Sequence, residues 1–481
     1  VDHPDILNFI GLKARARSVT NFNLSVGITD KFMEALASDS EYETVNPRTG
    51  ERHALLSARI VFDAILTSAW QCGDPGLLFL DRINRDNPVP SLGKIEATSP
   101  CAEMPLLPYE SCPEGALNLT ACLVDLPTPP QNAWLDLPPS PTRVPPCLQL
   151  PSSPPPSPSS HCPSTPDSPL PASSQTPPPA LSPSPSKRKR AREEEGMGEG
   201  GSHGEEMLSC CKFDWDKLKK NVKVAVRFLD NCHEIQPTVD PKIDEMSRNG
   251  VRRIGVGIMG WADVLFALGI PYDSDEAIAL AQKIAKEVRA TAQETSEELA
   301  KERGAFGFWD KSKSAQEGEN KRRHGTLLCA SPTGSISIIA DVSGGIEPNF
   351  ALSYMRQVVG GGSYYVANTY FRKALNYNGV PKPIQDEIIR RGCLIPSDPV
   401  PSKLEKVFVT SQKIQPMWHV KMQAAWQENI DGAISKTVNL PNAATAKDVE
   451  TVIVTAYKLG CKGITIYRDG SLQNQILNVG N

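Results

Sequence analysis

Apolar residues recur at helical spacing at Leu56, Ile60 and Ala64, and the run ends in Gly73-Asp74-Pro75-Gly76. That pattern predicts a helix followed by a tight turn. Leu77-Leu78-Phe79-Leu80 is apolar throughout, as a strand covered on both faces is. Between Leu218 and Leu229 charged and apolar residues alternate as on an amphipathic helix. A longer helix is predicted from Asp273, whose side chain would cap it together with Glu276. Its inner face is Ala281, Ile284, Ala285 and Val288, and Gly304 closes it. Thr445 to Leu459 predicts another helix stopped by Gly460, and Gly463-Ile464-Thr465-Ile466-Tyr467 a strand ended by Asp469-Gly470. Buried strands alternating with helices predict an α/β fold on a mostly parallel sheet or barrel.

The pattern is lost between Leu126 and Ser209. Residues 127–185 carry 22 of the 43 prolines, mixed with Ser and Thr, and Lys187-Arg188-Lys189-Arg190-Ala191-Arg192 and Glu193-Glu194-Glu195 follow. Such a stretch buries too little apolar surface to offset its ordering entropy. Residues 126–209 are therefore expected to be a disordered Pro/Ser-rich insertion between a first segment, 1–125, and a second, 210–481. Closure entropy grows slowly with loop length, so the insertion is tolerable where its two ends meet. Its basic cluster reads either as a nuclear localisation signal or as a solvated charge block. A third reading leaves the segment out of the mature protein.

Composition narrows the function classes. A net charge of −4 with 22 % charged residues points neither to nucleic acid nor to a membrane surface, so an anionic ligand would be gripped locally. No apolar run reaches the roughly 18 residues that span a bilayer. The opening Val1-Asp2-His3-Pro4 lacks a signal-peptide layout, so a cytoplasmic protein beginning inside a longer chain is expected. Twelve scattered cysteines without a CxxC pair predict free thiols and no structural metal. The adjacent Cys210-Cys211 reads as incidental. The histidines, His3, His53 and His419 among them, are isolated and read as structural.

The chemistry concentrates in Ser99-Pro100-Cys101-Ala102-Glu103 and the following Leu106-Leu107-Pro108-Tyr109-Glu110-Ser111-Cys112. Flanking prolines disfavour helix, so Cys101 and Glu103 are expected on an extended loop, pointing the same way as i and i+2. A thiol and a carboxylate on one face can divide hydrogen or nucleophile chemistry from proton transfer. Pro332-Thr333-Gly334-Ser335 offers backbone N–H groups and hydroxyls to a phosphate, or is an ordinary turn. Gly255-Val256-Gly257-Ile258-Met259-Gly260 fits GxGxxG, but Asp244 to Arg253 before it is too polar for a dinucleotide-site strand. Close helix packing is the expected role of those glycines.

The run Thr98 to Glu103, with Pro105 to Cys112, resembles the finger loop of adenosylcobalamin-dependent (class II) ribonucleotide reductases. So do Asn21-Phe22-Asn23-Leu24-Ser25-Val26, Asp81-Arg82-Ile83-Asn84 and Phe213-Asp214-Trp215-Asp216. Ala330 to Ser337, Gly345-Ile346-Glu347-Pro348, Ser435 to Asn442 and Gly460 to Ser471 continue the resemblance in the family's order. It implies a ten-stranded α/β barrel with a central finger loop. Cys101 would carry the thiyl radical, Glu103 the proton of the ribose 3′-hydroxyl, and Cys112 one half of the redox pair. Ser99 would position a substrate hydroxyl. Ser25, Pro332, Thr333, Gly334, Ser335 and Ile336 would bind a ribonucleoside di- or triphosphate. Adenosylcobalamin, with its cobalt, is the implied cofactor, a thioredoxin-like protein the reductant and a homodimer the assembly.

The chain departs from the family at Ser99, where Asn is usual, and at Pro113-Glu114-Gly115-Ala116, where Asn-Leu-Gly-Ser is usual. The other redox cysteine is expected upstream of Val1, and a C-terminal cysteine tail beyond Asn481. Two alternatives stand. A class I large subunit would need paired tyrosines that the sequence near Tyr467 lacks. A catalytically impaired nucleotide-binding homologue would accommodate Ser99, Pro113 and the insertion.

Overall fold

The computed structural model describes residues 1–16, 19, 22–126, 209–235, 239–357 and 363–471. The first expected helix forms as Ala58–Cys72, its start fixed by the Ser57 hydroxyl, which accepts from the Ile60 amide. Its buried face is Val61, Phe62, Ile65, Leu66 and Ala69. Ile60, expected inside, is 64 % exposed. Leu56 belongs to the preceding strand Arg52–Ser57, so a spacing counted from it straddles two elements. The strand Gly76–Phe79 is buried at every position, while Leu80 opens the helix Leu80–Arg85.

Trp215–Ile235 contains the 218–229 pattern and packs Leu218, Val222, Val226 and Leu229 into the same core as the long helix Asp275–Arg303. That helix buries Ala281, Ile284, Ala285 and Val288 as expected, and Gly304, at φ +88°, ends it. Its cap is Ser274, whose hydroxyl accepts from the Ala277 amide, rather than Asp273. A serine on extended backbone already satisfies the orphan amide, which leaves Asp273 outside the helix. Ala446–Lys458 is closed at its start by a reciprocal pair, Thr445 and Asp448.

Strand pairings run on from one to the next. Ser25–Ile28 lies parallel to Gly76–Phe79, which meets Gly463–Arg468 antiparallel at Leu77 and Ile464. Gly463–Arg468 lies parallel to Thr437–Leu440, and just upstream Ile434 bridges Ala330. Leu328 bridges Val256 in Gly255–Met259, which lies parallel to Glu114–Asn118. Seven extended segments thus form one wall, parallel but for the single antiparallel junction. Among the described residues no pairing is recorded between Ser25–Ile28 and Glu114–Asn118, the two ends of the wall. Trp261 and Trp426 meet edge to face at 5.3 Å in the core beside it.

Leu123–Asp125 pairs antiparallel with Cys211–Phe213, and the Leu126 amide donates to the Cys210 carbonyl at 2.9 Å. The two ends of the expected insertion therefore meet, and the described residues on both sides belong to one unit. The disorder expected for 126–209 falls almost wholly on residues 127–208, which lie outside the described residues.

One buried carboxylate organises the charges around the 215–235 helix. Asp230 accepts from Arg252, Arg303, Arg323 and His324. Burial alone would raise its carboxyl, but His324 and Arg252 outweigh that and hold it well below the usual range. Burial also lowers His324 and His233 to about 4 each.

Replacing residues 127–208 by a short Gly/Ser turn is expected to keep a single cooperative thermal transition within a few degrees of the parent. Loss of cooperativity would show that the segment is part of the fold. Between pH 6.5 and about 4 the unfolded chain binds protons at His233 and His324 that the folded chain refuses. Stability is therefore full above pH 6.5 and falls as pH drops towards 4, by up to about 1.4 kcal/mol per pH unit for each histidine. Urea midpoints across that range measure the slope, and a flat profile would contradict it.

Candidate active site

Ala97–Thr98 pairs antiparallel with Pro105–Leu106, and the chain between them doubles back. The Ser99 amide donates to the Met104 carbonyl at 2.9 Å, and the Met104 amide to the Ser99 hydroxyl at 3.0 Å. The Ala102 amide donates to the Ser99 carbonyl, with Ala102 at φ +69°. The expected extended loop is thus a compact turn, because the serine closes it and Ala102 takes a left-handed conformation. Cys101 is half-buried and Glu103 is buried.

The loop is held across the wall. Asn23, ahead of the Ser25–Ile28 strand, donates to the Pro100 carbonyl at 3.1 Å and lies 3.9 Å from the Cys101 Sγ. The Glu103 carbonyl accepts from the Ala433 amide at 2.8 Å. Glu110, past the turn, accepts from the Leu107 amide and from Arg253 in a buried ion pair of 2.7 Å. Removing either partner of such a pair strands a charge away from water, so the clamp is strongly specified.

Next to the turn the wall brings further groups together. Gly255 is level with Glu114 in the parallel pairing. A Cβ on Gly255 would sit 2.5 Å from the Cys329 Sγ, 3.0 Å from the Glu114 Cγ and 3.2 Å from the Met104 Cε. One on Gly257 would meet the Cys329 carbonyl at 2.9 Å. These glycines therefore sit inside a buried strand and admit neighbouring strands, which corrects their expected role in helix packing. The Ser331 hydroxyl donates to the Glu114 Oε2.

Burial raises the Cys101 thiol, and the charges of Glu103 and Glu114 add to it. Cys112 is pushed well up by burial and by Glu114, against the pull of Arg253. Burial, Glu114 and Cys112 do the same to Cys329. Glu114 is raised mainly by burial, opposed by the Ser331 hydrogen bond and reinforced by Glu103. The site therefore holds neutral S–H groups rather than thiolates, which suits hydrogen-atom exchange better than nucleophilic attack.

The Pro332–Ser335 turn follows the 328–330 strand directly, so Ser331 ties its start to Glu114. Thr333, buried and at φ +55°, accepts from the Gly345 amide through its hydroxyl oxygen at 2.8 Å. Gly334 and Ser335 face solvent, and Ile336, in the helix Gly334–Ile339, is 45 % exposed. Ser25 sits in the edge strand against Gly76 and lines a cleft with Val1, Ile6 and Phe9. Its neighbour Asn23, rather than Ser25, reaches Cys101. Asn23, Glu114, Cys329 and Ser331 were not singled out by sequence reasoning. Asn23 lies within a family-like block, and Glu114 within the segment that departs from the family. Ser331 lies within the family-like block Ala330 to Ser337, and nothing in the pattern around Cys329 marked it. Cys210 and Cys211, read as incidental, are buried with their sulphurs 3.7 Å apart.

Replacing Glu103 by Gln is expected to move the pH midpoint of Cys101 alkylation down by about one unit, since a carboxylate beside a thiol disfavours the thiolate. Iodoacetamide labelling read by peptide mass spectrometry measures it. An unchanged midpoint would mean that the two side chains do not share a site.

Comparison with known proteins assigns the chain to a family. The sequence model of the family described as "Ribonucleotide reductase, barrel domain" matches residues 1–137 and 206–467. A "Vitamin B12-dependent ribonucleoside-diphosphate reductase" of Mycobacterium tuberculosis is 37 % identical over 99 % of this chain and 56 % of its own length. One of the same name from Thermoplasma acidophilum is 34 % identical over 100 % of this chain and 51 % of its own. The chain thus spans about half the length of these curated relatives. Among solved structures, the Actinobacillus ureae class Id ribonucleotide reductase alpha subunit aligns with a TM-score of 0.64 at 20 % identity. The alignment covers 98 % of this chain and 69 % of that one, a likeness of fold. With its finger-like turn, its strand wall and a family match on both sides of the insertion, the chain belongs to the ribonucleotide reductase family, through the barrel domain.

Proposed function

We propose that the full-length protein carrying this chain reduces ribonucleotides to deoxyribonucleotides as a class II enzyme, on a ten-stranded barrel to which the seven-segment wall contributes. The observation that carries the reading is the 99–103 turn, which sets a protonated thiol beside a buried carboxylate on a loop crossing the wall. The names of the curated relatives support a ribonucleoside diphosphate as substrate.

Cys101 is the hydrogen-atom exchanger for the ribose 3′ carbon. Only the S–H form can return a hydrogen atom, so burial and two nearby carboxylates favour the useful state. Glu103 holds the proton of the 3′-hydroxyl, and its Oε2 is buried without a partner, an acceptor left open. Ser99 spends its oxygen on the Met104 amide and keeps its O–H to donate to a substrate hydroxyl. Cys112 supplies reducing equivalents with a partner thiol elsewhere in the protein. Pro332, Thr333, Gly334, Ser335 and Ile336 cradle the phosphates, with Thr333 braced on Gly345 so that Gly334 and Ser335 present their polar groups. Ser25 lines the nucleotide side of the edge strand.

The residues fit adenosylcobalamin. Cys101 is part-exposed and its thiol protonated, and Phe22, next to the Asn23 that reaches it, presents an exposed apolar ring of the kind a corrin face covers. When bound, the cofactor supplies the one-electron chemistry that this chain's own groups lack. A thioredoxin-like dithiol protein re-reduces the cysteine pair, and the assembled enzyme is a cytoplasmic homodimer. A second reading, an impaired nucleotide-binding homologue, draws on Ser99 and Pro113.

Full-length protein is expected to form deoxyribonucleotide with adenosylcobalamin and none without it. Cys101→Ser abolishes product while substrate binding stays within a few-fold. Turnover independent of the cofactor would exclude class II, turnover by the Cys101→Ser variant would remove the mechanism, and inactivity with Cys101 intact would favour the impaired homologue.

A further inference from the structure

The site holds one carboxylate more than its proposed chemistry uses. Glu114 stands two residues past Cys112, in the segment that departs from the family pattern. Its side chain lies over the bare backbone of Gly255, beside the Cys329 sulphur and the Met104 side chain. Ser331 donates a hydrogen bond to it from the opposite strand. The Cys112 sulphur lies 3.6 Å from the Pro113 carbonyl, and that carbonyl accepts from the Gly255 amide at 3.0 Å, so thiol and carboxyl flank the same glycine. The charge of Glu114 raises Cys101, Cys112 and Cys329 alike.

We propose that Glu114 is a proton-transfer residue of the thiol site, serving Cys112 during re-reduction of the cysteine pair. The proposal rests on the reductase reading for the redox role of Cys112. When the reductant's first thiolate attacks the partner sulphur, the S–S bond breaks and Cys112 leaves with the electron pair. Glu114 gives up its O–H proton, a new S–H bond forms on Cys112, and a carboxylate remains. The reductant's second thiol loses its proton to Glu114 as it attacks the mixed disulfide, which restores the acid. The partner sulphur takes its proton from water, so a dithiol is oxidised, a disulfide is reduced and Glu114 is unchanged.

The surroundings suit that task. Burial and the charge of Glu103 favour the protonated carboxyl, while Ser331 and the Cys329 thiol temper the shift by hydrogen bonding. Arg253 is the cation facing Cys112, and it is paired with Glu110. Asp431, which also faces Cys112, is paired with Arg289. Glu114 and Glu103 are thus the carboxylates at the thiols without a basic partner in the described ion pairs.

Two measurements test this. In the full chain, Glu114→Gln is expected to lower the pH midpoint of Cys112 alkylation by about one unit, with Glu114→Asp close to the parent. An unmoved midpoint in a folded Gln variant overturns the proposal, whatever the enzyme does. In the full-length enzyme with a dithiol reductant, Glu114→Gln is expected to slow re-reduction about a hundredfold. Glu114→Asp restores most of the rate, and a small carboxylic acid in the buffer speeds the Gln variant but not the parent. If the parent makes deoxyribonucleotide and the Gln variant re-reduces at the parent rate, this proposal fails alone. If the parent makes none, the reductase reading fails, and the alkylation shift still decides whether Glu114 governs Cys112.

Discussion

Limited access of water to one turn and to the thiols behind it is the constraint on which the site depends. A thiol in water gives up its proton a little above neutrality, and removing it from water makes that harder because the charged form loses its solvation. Cys329 is fully in that position and Cys101 and Cys112 partly so, and carboxylates beside them push the same way. Glu114 is raised as well, by its own burial and by the charge of Glu103. The result is a small region rich in transferable hydrogen and poor in net charge. That is a suitable setting for exchanging hydrogen atoms and protons with a sugar.

The rest of the architecture maintains this region. A wall of mostly parallel segments supplies strand ends on which the loop rests, and the loop is fixed at points far apart in sequence, Asn23, Ala433 and Arg253. Gly255 matters because a side chain there would displace the Cys329 sulphur and Glu114 together. The insertion leaves the fold where two antiparallel strands bring its ends together, so its length adds only slowly to the entropy of closing it.

Much of this was legible in the sequence, and the failures have physical causes. Helices with a clean apolar face, such as Asp275–Arg303, and the wholly apolar strand Gly76–Phe79 stood out because burial on one or both faces writes itself into composition. The Ala58–Cys72 helix was misphased because apolar Leu56 sits in the strand before it. The turn at 99–103 was read as extended because proline rules speak to the neighbouring backbone and not to a serine that closes a hydrogen-bonded turn. Cys101, Glu103 and Cys112 were singled out through motif resemblance, which reaches residues near one another in sequence. Asn23, Cys329 and Ser331 come from segments far from the loop, and only the pairing of strands reveals that they meet it.

The central claim is that the Cys101 sulphur, held as a thiol, exchanges hydrogen with the ribose. Hydrogen taken from the 3′ carbon becomes an S–H hydrogen, and such hydrogens exchange with water. The most direct measurement gives the full-length protein a ribonucleotide tritiated at the 3′ position, with adenosylcobalamin, and follows tritium in the solvent. The account predicts slow release that accompanies deoxyribonucleotide formation. Product accumulating with no tritium reaching water, and no slowing when the 3′ hydrogen is the heavy isotope, would contradict it.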